Sequence, residues 1–173
     1  MSDATATQEV LRNAIQMEKD GKAFYLEASK SCGNEPGKKL FRSLAKEEDG
    51  HRRDFEKIFE ALRNKYEWPP TEIATKNTAR KKPLLSGLTP QTCPALPPAE
   101  GEIASVRTAV KMENEAYDFY RKQLAQSTYP GEREFYLALS AAENAHRLAL
   151  VDYLEFISDP AAYFVEHEHP SLD

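Results

Sequence analysis

The chain has 173 residues, 40% of them hydrophobic and 29% charged, with a formal net charge of -5 and a pI near 5.5. That length suits a single domain over 1–173, which buries about two thirds of the surface its unfolded chain exposes. The acidic balance, with Arg80, Lys81 and Lys82 as its one small basic cluster, leaves no face for a phosphate backbone and excludes nucleic acid as a partner. The N-terminus has no positive end followed by an apolar run, and no stretch of about 18 apolar residues occurs, so no membrane segment and a cytoplasmic location are expected.

In chain order, apolar residues recur at helical spacing over 7–31, 36–66, 99–127 and 132–158, which predicts an all-α protein of four long helices. Gly33 and Pro36 separate the first pair, Pro130-Gly131 the second, and Asp159-Pro160 ends the fourth helix, leaving a solvated acidic tail over 159–173. Short connections make antiparallel neighbours, so two helical hairpins are expected, at 7–66 and 99–158. The linker over 67–98 carries Pro69, Pro70, Pro83, Pro90, Pro94, Pro97 and Pro98 and cannot be helical throughout. At about 3.3 Å per extended residue it easily spans a bundle, as a crossover or as the hinge of an exchange between chains.

On the second segment Leu40, Leu44, Glu48, His51, Phe55, Ile58 and Leu62 form one stripe. On the fourth, Tyr136, Leu139, Glu143, His146, Leu150, Tyr153 and Ile157 do the same. On the third, Ile103, Val106, Val110, Glu113, Tyr117, Tyr120 and Leu124 repeat the pattern with an acid at its middle. An offset of 95 residues relates Glu18 to Glu113, Glu48 to Glu143 and His51 to His146, and it also pairs Met17 with Met112, Phe24 with Phe119 and Tyr25 with Tyr120. One helical hairpin has been duplicated.

Glu48-x-x-His51 and Glu143-x-x-His146 each put a carboxylate and an imidazole one turn apart on a core-facing stripe, where both reach one metal. Glu166-x-x-His169 has the same spacing but neither a core stripe nor an upstream acid, and it reads as part of the tail. Four glutamates and two neutral imidazoles facing one core bring four negative charges, with no Lys or Arg on the stripes to pair them, and unpaired buried carboxylates cost several kcal/mol. Two divalent cations neutralise the set. Glu18, Glu48, His51, Glu113, Glu143 and His146 are therefore the predicted metal ligands, with Glu48 and Glu143 bridging and Glu18 and Glu113 terminal, or the reverse. The oxygen-rich set favours iron over copper, with manganese or zinc as substitutes. Gly21 and Ala116 leave space one turn beyond the first acids, for a small oxidant or for close helix packing. Tyr25 and Tyr120, two turns beyond the acids, are candidate catalytic phenols or a packed aromatic pair. Cys32 and Cys93 form no CxxC and read as free thiols.

The runs Met17-Glu18-Lys19-Asp20-Gly21, Glu47-Glu48-Asp49-Gly50-His51, Met112-Glu113 and Glu143-Asn144-Ala145-His146, with Phe24-Tyr25 and Phe119-Tyr120, resemble the rubrerythrin branch of the ferritin-like superfamily. The resemblance implies a ferritin-like four-helix bundle with a di-iron carboxylate centre that oxidises ferrous iron and reduces hydrogen peroxide or dioxygen. The chain lacks the four-cysteine rubredoxin module of that branch, which implies an external electron donor. It also has Ala116 where the branch carries an extra glutamate, with Glu115 on a different face, so its six-residue set is closer to bacterioferritin-type ferroxidase centres. Iron storage and a structural metal bundle are the competing functions. Because neither hairpin completes a two-metal site alone, a homodimer is expected, with the hairpins paired within one chain or exchanged between two.

Overall fold

The computed structural model describes residues 3–64, 67–75 and 98–167. Among the described residues the chain is helical, without strands: α1 Asp3–Ser31, α2 Glu35–Arg63, α3 Glu72–Thr75, α4 Glu102–Gln126, α5 Pro130–Ser158 and α6 Pro160–His167. Four long helices stand where the periodicity predicts them. All seven residues of the α5 stripe are buried, as are six of seven on α2, with Leu62 half-buried at the fraying end.

Terminus chemistry moves the boundaries by a few residues. Asn34 caps α2, its side chain accepting from Gly37 N at 2.9 Å, and Pro36 falls in the first turn, where a missing N–H removes nothing. Pro130 likewise opens α5 rather than separating the pair. At α4 the start falls at Glu102 rather than at 99, after Gly101 in the left-handed region at φ 78°.

Helices α1 and α2 pack along their length, as do α4 and α5, while α1 touches α4 and α2 touches α5. Two apolar clusters give the helix directions. One gathers Leu11 and Ala14 of α1, Phe55 and Ile58 of α2, Tyr120 of α4, and Phe135, Tyr136 and Leu139 of α5. The other gathers Tyr25, Ala28 and Cys32 of α1, Leu40, Phe41 and Leu44 of α2, Val106 and Ala109 of α4, and Leu150, Tyr153 and Phe156 of α5. Helices α1 and α5 run from the first cluster to the second and α2 and α4 the other way, so all touching pairs of long helices are antiparallel. The chain must then cross the length of the bundle between α2 and α4, which is the expected crossover.

Two short helices lie outside the four periodic segments. The linker, expected only not to be helical throughout, is not left unpacked where described: Thr71 is buried and α3 packs on α2 and α5, with Trp68 and Ile73 against the first cluster. Asp54 of α2 holds α3 by its first turn, accepting from Glu72 N at 3.0 Å and Ile73 N at 2.9 Å. The tail is not simply solvated either. Its first half is α6, begun by Asp159 Oδ1 accepting from Ala162 N at 3.0 Å, and Tyr163 and Phe164 are buried against Phe156. An aromatic pair after Pro160 covers apolar surface that a four-helix count leaves open. His169, Cys93 and positions 76–97 lie outside the described residues.

Candidate metal centre

Between the two apolar clusters lies a polar layer. Each long helix places its acid there because the ligand replaces one apolar residue in a stripe that otherwise continues on both sides: Glu18 on α1, Glu48 and His51 on α2, Glu113 on α4, Glu143 and His146 on α5. All six are buried, the most exposed being His51 at 6%.

Their ligand atoms form two groups, Glu18, Glu48, His51 and Glu143 in one and Glu48, Glu113, Glu143 and His146 in the other, each within 4.8 Å. Glu48 and Glu143 belong to both. Glu18 and Glu113 belong to one group each.

Both imidazoles turn Nδ1 inward. His51 Nδ1 lies 3.4 Å from Glu18, 3.4 Å from Glu48 and 3.3 Å from Glu143. His146 Nδ1 lies 3.1 Å from Glu48, 3.2 Å from Glu143 and 3.6 Å from Glu113. The rings are near-parallel at 19°, with centroids 5.6 Å apart. These are ion-pair approaches rather than aligned hydrogen bonds: Glu18 Oε2, Glu143 Oε1 and both Nδ1 atoms are buried with no hydrogen-bond partner among the described residues. Buried polar atoms normally have partners, and four orphans converging on one layer fit cation ligands.

The groups of this layer shift one another's proton affinities. Burial, and next the charge of Glu48, push the Glu18 carboxyl well above its ordinary range. Burial pushes Glu113 up to about 8, against the pull of His146. Burial acts the same way on Glu48, but the Glu18 carboxyl and then the two imidazoles outweigh it, while for Glu143 the imidazoles outweigh burial and the Glu48 charge, so both lie below the usual range. For His51 and His146 burial disfavours the charged form, yet the surrounding carboxylates raise both well above an ordinary imidazole.

The surroundings are also duplicated. Tyr25 Oη donates to Glu113 and Tyr120 Oη donates to Glu18, so each hairpin's phenol holds the other hairpin's acid. Burial first, then the carboxylate charges, raises both phenols far above the usual range, and they remain proton donors. A cavity of about 140 Å³ opens beside the layer, lined by Met17, Glu18, Asp20, Gly21, Tyr25 and Glu48 together with Met112, Glu113, Glu115, Ala116, Tyr120 and Glu143. Every member of the first six pairs with the second at an offset of 95. A Cβ on Gly21 would stand 3.6 Å from Glu48 Cγ, in ordinary contact, so Gly21 keeps cavity space rather than relieving a clash. Glu115, expected on a different face, reaches the rim of this cavity while remaining exposed.

The rubrerythrin family model matches residues 9–153. The chain belongs to the rubrerythrin family. No curated protein and no solved structure matches it. The matched span contains all six cluster residues, both phenols and the whole cavity lining, so the rubrerythrin assignment and the geometry cover the same part of the chain. The helical bundle and its buried carboxylate–histidine cluster are compatible with the metal centre of a rubrerythrin. No described helix is long and apolar enough to cross a membrane.

One residue near the centre escaped the sequence reading. Glu47 Oε2 lies 3.3 Å from His146 Nε2, the ring nitrogen that faces away from the cluster. Its signal was present as the acidic doublet Glu47-Glu48, but only the packing of α2 beside α5 shows which histidine it meets.

Proposed function

We propose that this rubrerythrin holds two iron ions between Glu18, Glu48, His51, Glu113, Glu143 and His146 and works as a di-iron oxidoreductase of the peroxidase or ferroxidase type. The observation that carries this reading is the pair of ligand groups sharing Glu48 and Glu143, set against a small cavity. When bound, a ferrous pair supplies two electrons to hydrogen peroxide or dioxygen and is re-reduced by an external donor. The protein's part is positional. Glu48 and Glu143 hold the two positions at one spacing, while Tyr25 and Tyr120 fix one oxygen of Glu113 and of Glu18 by donating to it. Gly21 and Ala116 leave room beside the acids for a small molecule such as hydrogen peroxide or dioxygen. The two apolar clusters keep bulk water from both ends of the layer.

The test loads the protein with ferrous iron without oxygen, then mixes it with hydrogen peroxide or dioxygen while ferric absorption in the near ultraviolet is followed. Oxidation faster than that of free ferrous ion, with two irons per chain, supports the reading; oxidation at the free-ion rate leaves a metal carrier. Glu48→Ala with Glu143→Ala should abolish loading, whereas His167→Ala with His169→Ala should leave two irons bound.

The assembly proposed with it is a homodimer, supported by the linker. The contacts of α1 with α4 and α2 with α5 can form within one chain or between two. Sedimentation should give twice the 19.6 kDa chain mass. Co-refolding a Glu18/Glu48 double mutant with a Glu113/Glu143 double mutant restores one loaded site only if hairpins exchange.

A further inference from the structure

Every residue lining the cavity is paired with another at an offset of 95, as the two histidines are with each other, yet the histidines are not backed alike. Glu47 Oε2 meets His146 Nε2 at 3.3 Å, while Glu47 Oε1 accepts from Ser43 Oγ at 3.3 Å on the same helix. The residue 95 positions beyond Glu47 is Ala142, and a methyl group accepts nothing. All carboxylate approaches to His51 are to its Nδ1. No described carboxylate stands against His51 Nε2.

Resting on the metal-binding reading above, we propose that Glu47 is a positioning residue that makes the two metal positions unequal, the one at His146 binding a divalent cation more tightly than the one at His51. An imidazole ligates only through an unprotonated nitrogen, so His146 needs its remaining proton on Nε2 to offer Nδ1 to the cluster. A carboxylate at Nε2 selects that tautomer, fixes the ring plane and makes Nδ1 a better donor. His51 has no carboxylate of this kind among the described residues, so its tautomer and ring plane are set without that help. Outer partners of this type change metal affinity by about 10- to 100-fold. The shared residues Glu48 and Glu143 serve both positions and cannot cause the difference. The ends of the site contribute alike, because Glu18 and Glu113 each accept from a tyrosine.

The test uses cobalt(II) as the probe, followed by its visible absorption and by titration calorimetry without oxygen. Sharing of carboxylates makes any two-ion titration stepwise, so each position is isolated first: His51→Ala leaves the position at His146, and His146→Ala leaves the position at His51. Adding Glu47→Gln should weaken cobalt binding by about 10- to 100-fold in the His51→Ala protein and by less than about twofold in the His146→Ala protein. Equal losses in both, or no loss in the first, overturn the inference. Should either single-site protein fail to fold by circular dichroism, Glu47→Gln in the full ligand set gives the same answer: the tighter of two binding constants falls and the weaker holds, whereas a uniform fall overturns it. Absence of cobalt uptake by the unmutated protein refutes the metal-binding reading itself. Two cobalt ions bound without any Glu47 effect refute this inference alone.

Discussion

A hydrogen is the largest side chain that position 37 accepts. A Cβ there would stand 2.5 Å from Tyr153 Cζ and 3.0 Å from Cys32 Sγ, with the Tyr153 hydroxyl closer still. Alanine within a helix gains about 1 kcal/mol over glycine, but overpacking a buried site costs about 1–3 kcal/mol, and here the obstacle is a ring whose hydroxyl is held by Asn34 and Glu102. Gly37→Ala should therefore lower Tm despite its better helix propensity, by up to about 8 °C for a net cost of up to about 2 kcal/mol at about 2–4 °C per kcal/mol. Those partners belong to a network that crosses the hairpins: Tyr153 Oη donates to Glu102 at 2.5 Å, Asn34 Nδ2 donates to Tyr153 Oη at 2.9 Å, and Glu102 also accepts from Ala99 N and Gly33 N. Burial would raise the Glu102 carboxyl, yet the Tyr153 hydroxyl and the two backbone N–H groups hold it below its usual value. A depressed carboxyl contributes stability that is present above its unfolded value and lost as pH falls through the folded one. Unfolding in denaturant should show this acid limb below about pH 4.5, weakened in Glu102→Gln. In the same network burial, then the Glu102 charge, pushes the Cys32 thiol up to about 12. In a Cys93→Ser background Cys32 should react with a disulfide reagent at pH 8 at least about a thousandfold more slowly folded than unfolded, following its thiolate fraction. The six cluster residues were legible because acid and imidazole interrupt an apolar stripe at repeated spacing. Glu102, Asn34 and Asp54 were not, since their partners lie on other elements.

Long helices declared themselves by period, and short ones could not. Helix α3 has four residues, too few for any stripe, and it exists because Asp54 accepts two of its N–H groups while Trp68 and Ile73 pack beneath it. Helix α6 was read as tail because Asp159-Pro160 is as good a start as a stop, and only burial of Tyr163 and Phe164 decides which. Asp54→Ala strips acceptors from two backbone groups, a change worth about 1–3 kcal/mol. Its effect should be local. Trp68, the single tryptophan of the chain, rests on Phe135 and Tyr136 at 5.9 and 6.2 Å between ring centroids. The variant should shift its fluorescence to the red and admit acrylamide quenching, with long-helix circular dichroism unchanged. An unshifted spectrum would mean that apolar packing alone holds α3.

For the whole molecule, the polar layer is the place where apolar burial stops and another source of cohesion is required. With each ion at about 100 times its dissociation constant, two bound cations add about 5 kcal/mol, which raises Tm by about 10–20 °C for a chain of this size. Scanning calorimetry before and after chelation checks this, and the gain should vanish in the Glu48→Ala, Glu143→Ala protein. The bundle was legible down to its crossover, because hairpin spacing and proline content determine which helices run antiparallel. The network at one end was not, because it has no counterpart in the other half: 95 positions before Tyr153 stands Ile58, a buried apolar residue of the opposite cluster. In an assembly of two identical hairpins each substitution is made twice, once on either side of the axis, and must be tolerated in both places. Joining the hairpins in one chain ends that obligation. A tyrosine can replace an isoleucine at one end only, and an alanine can stand at 142 while glutamate stays at 47. The crossover thus does more than bridge a distance: it lets two halves of common descent inherit different changes while still closing around one centre.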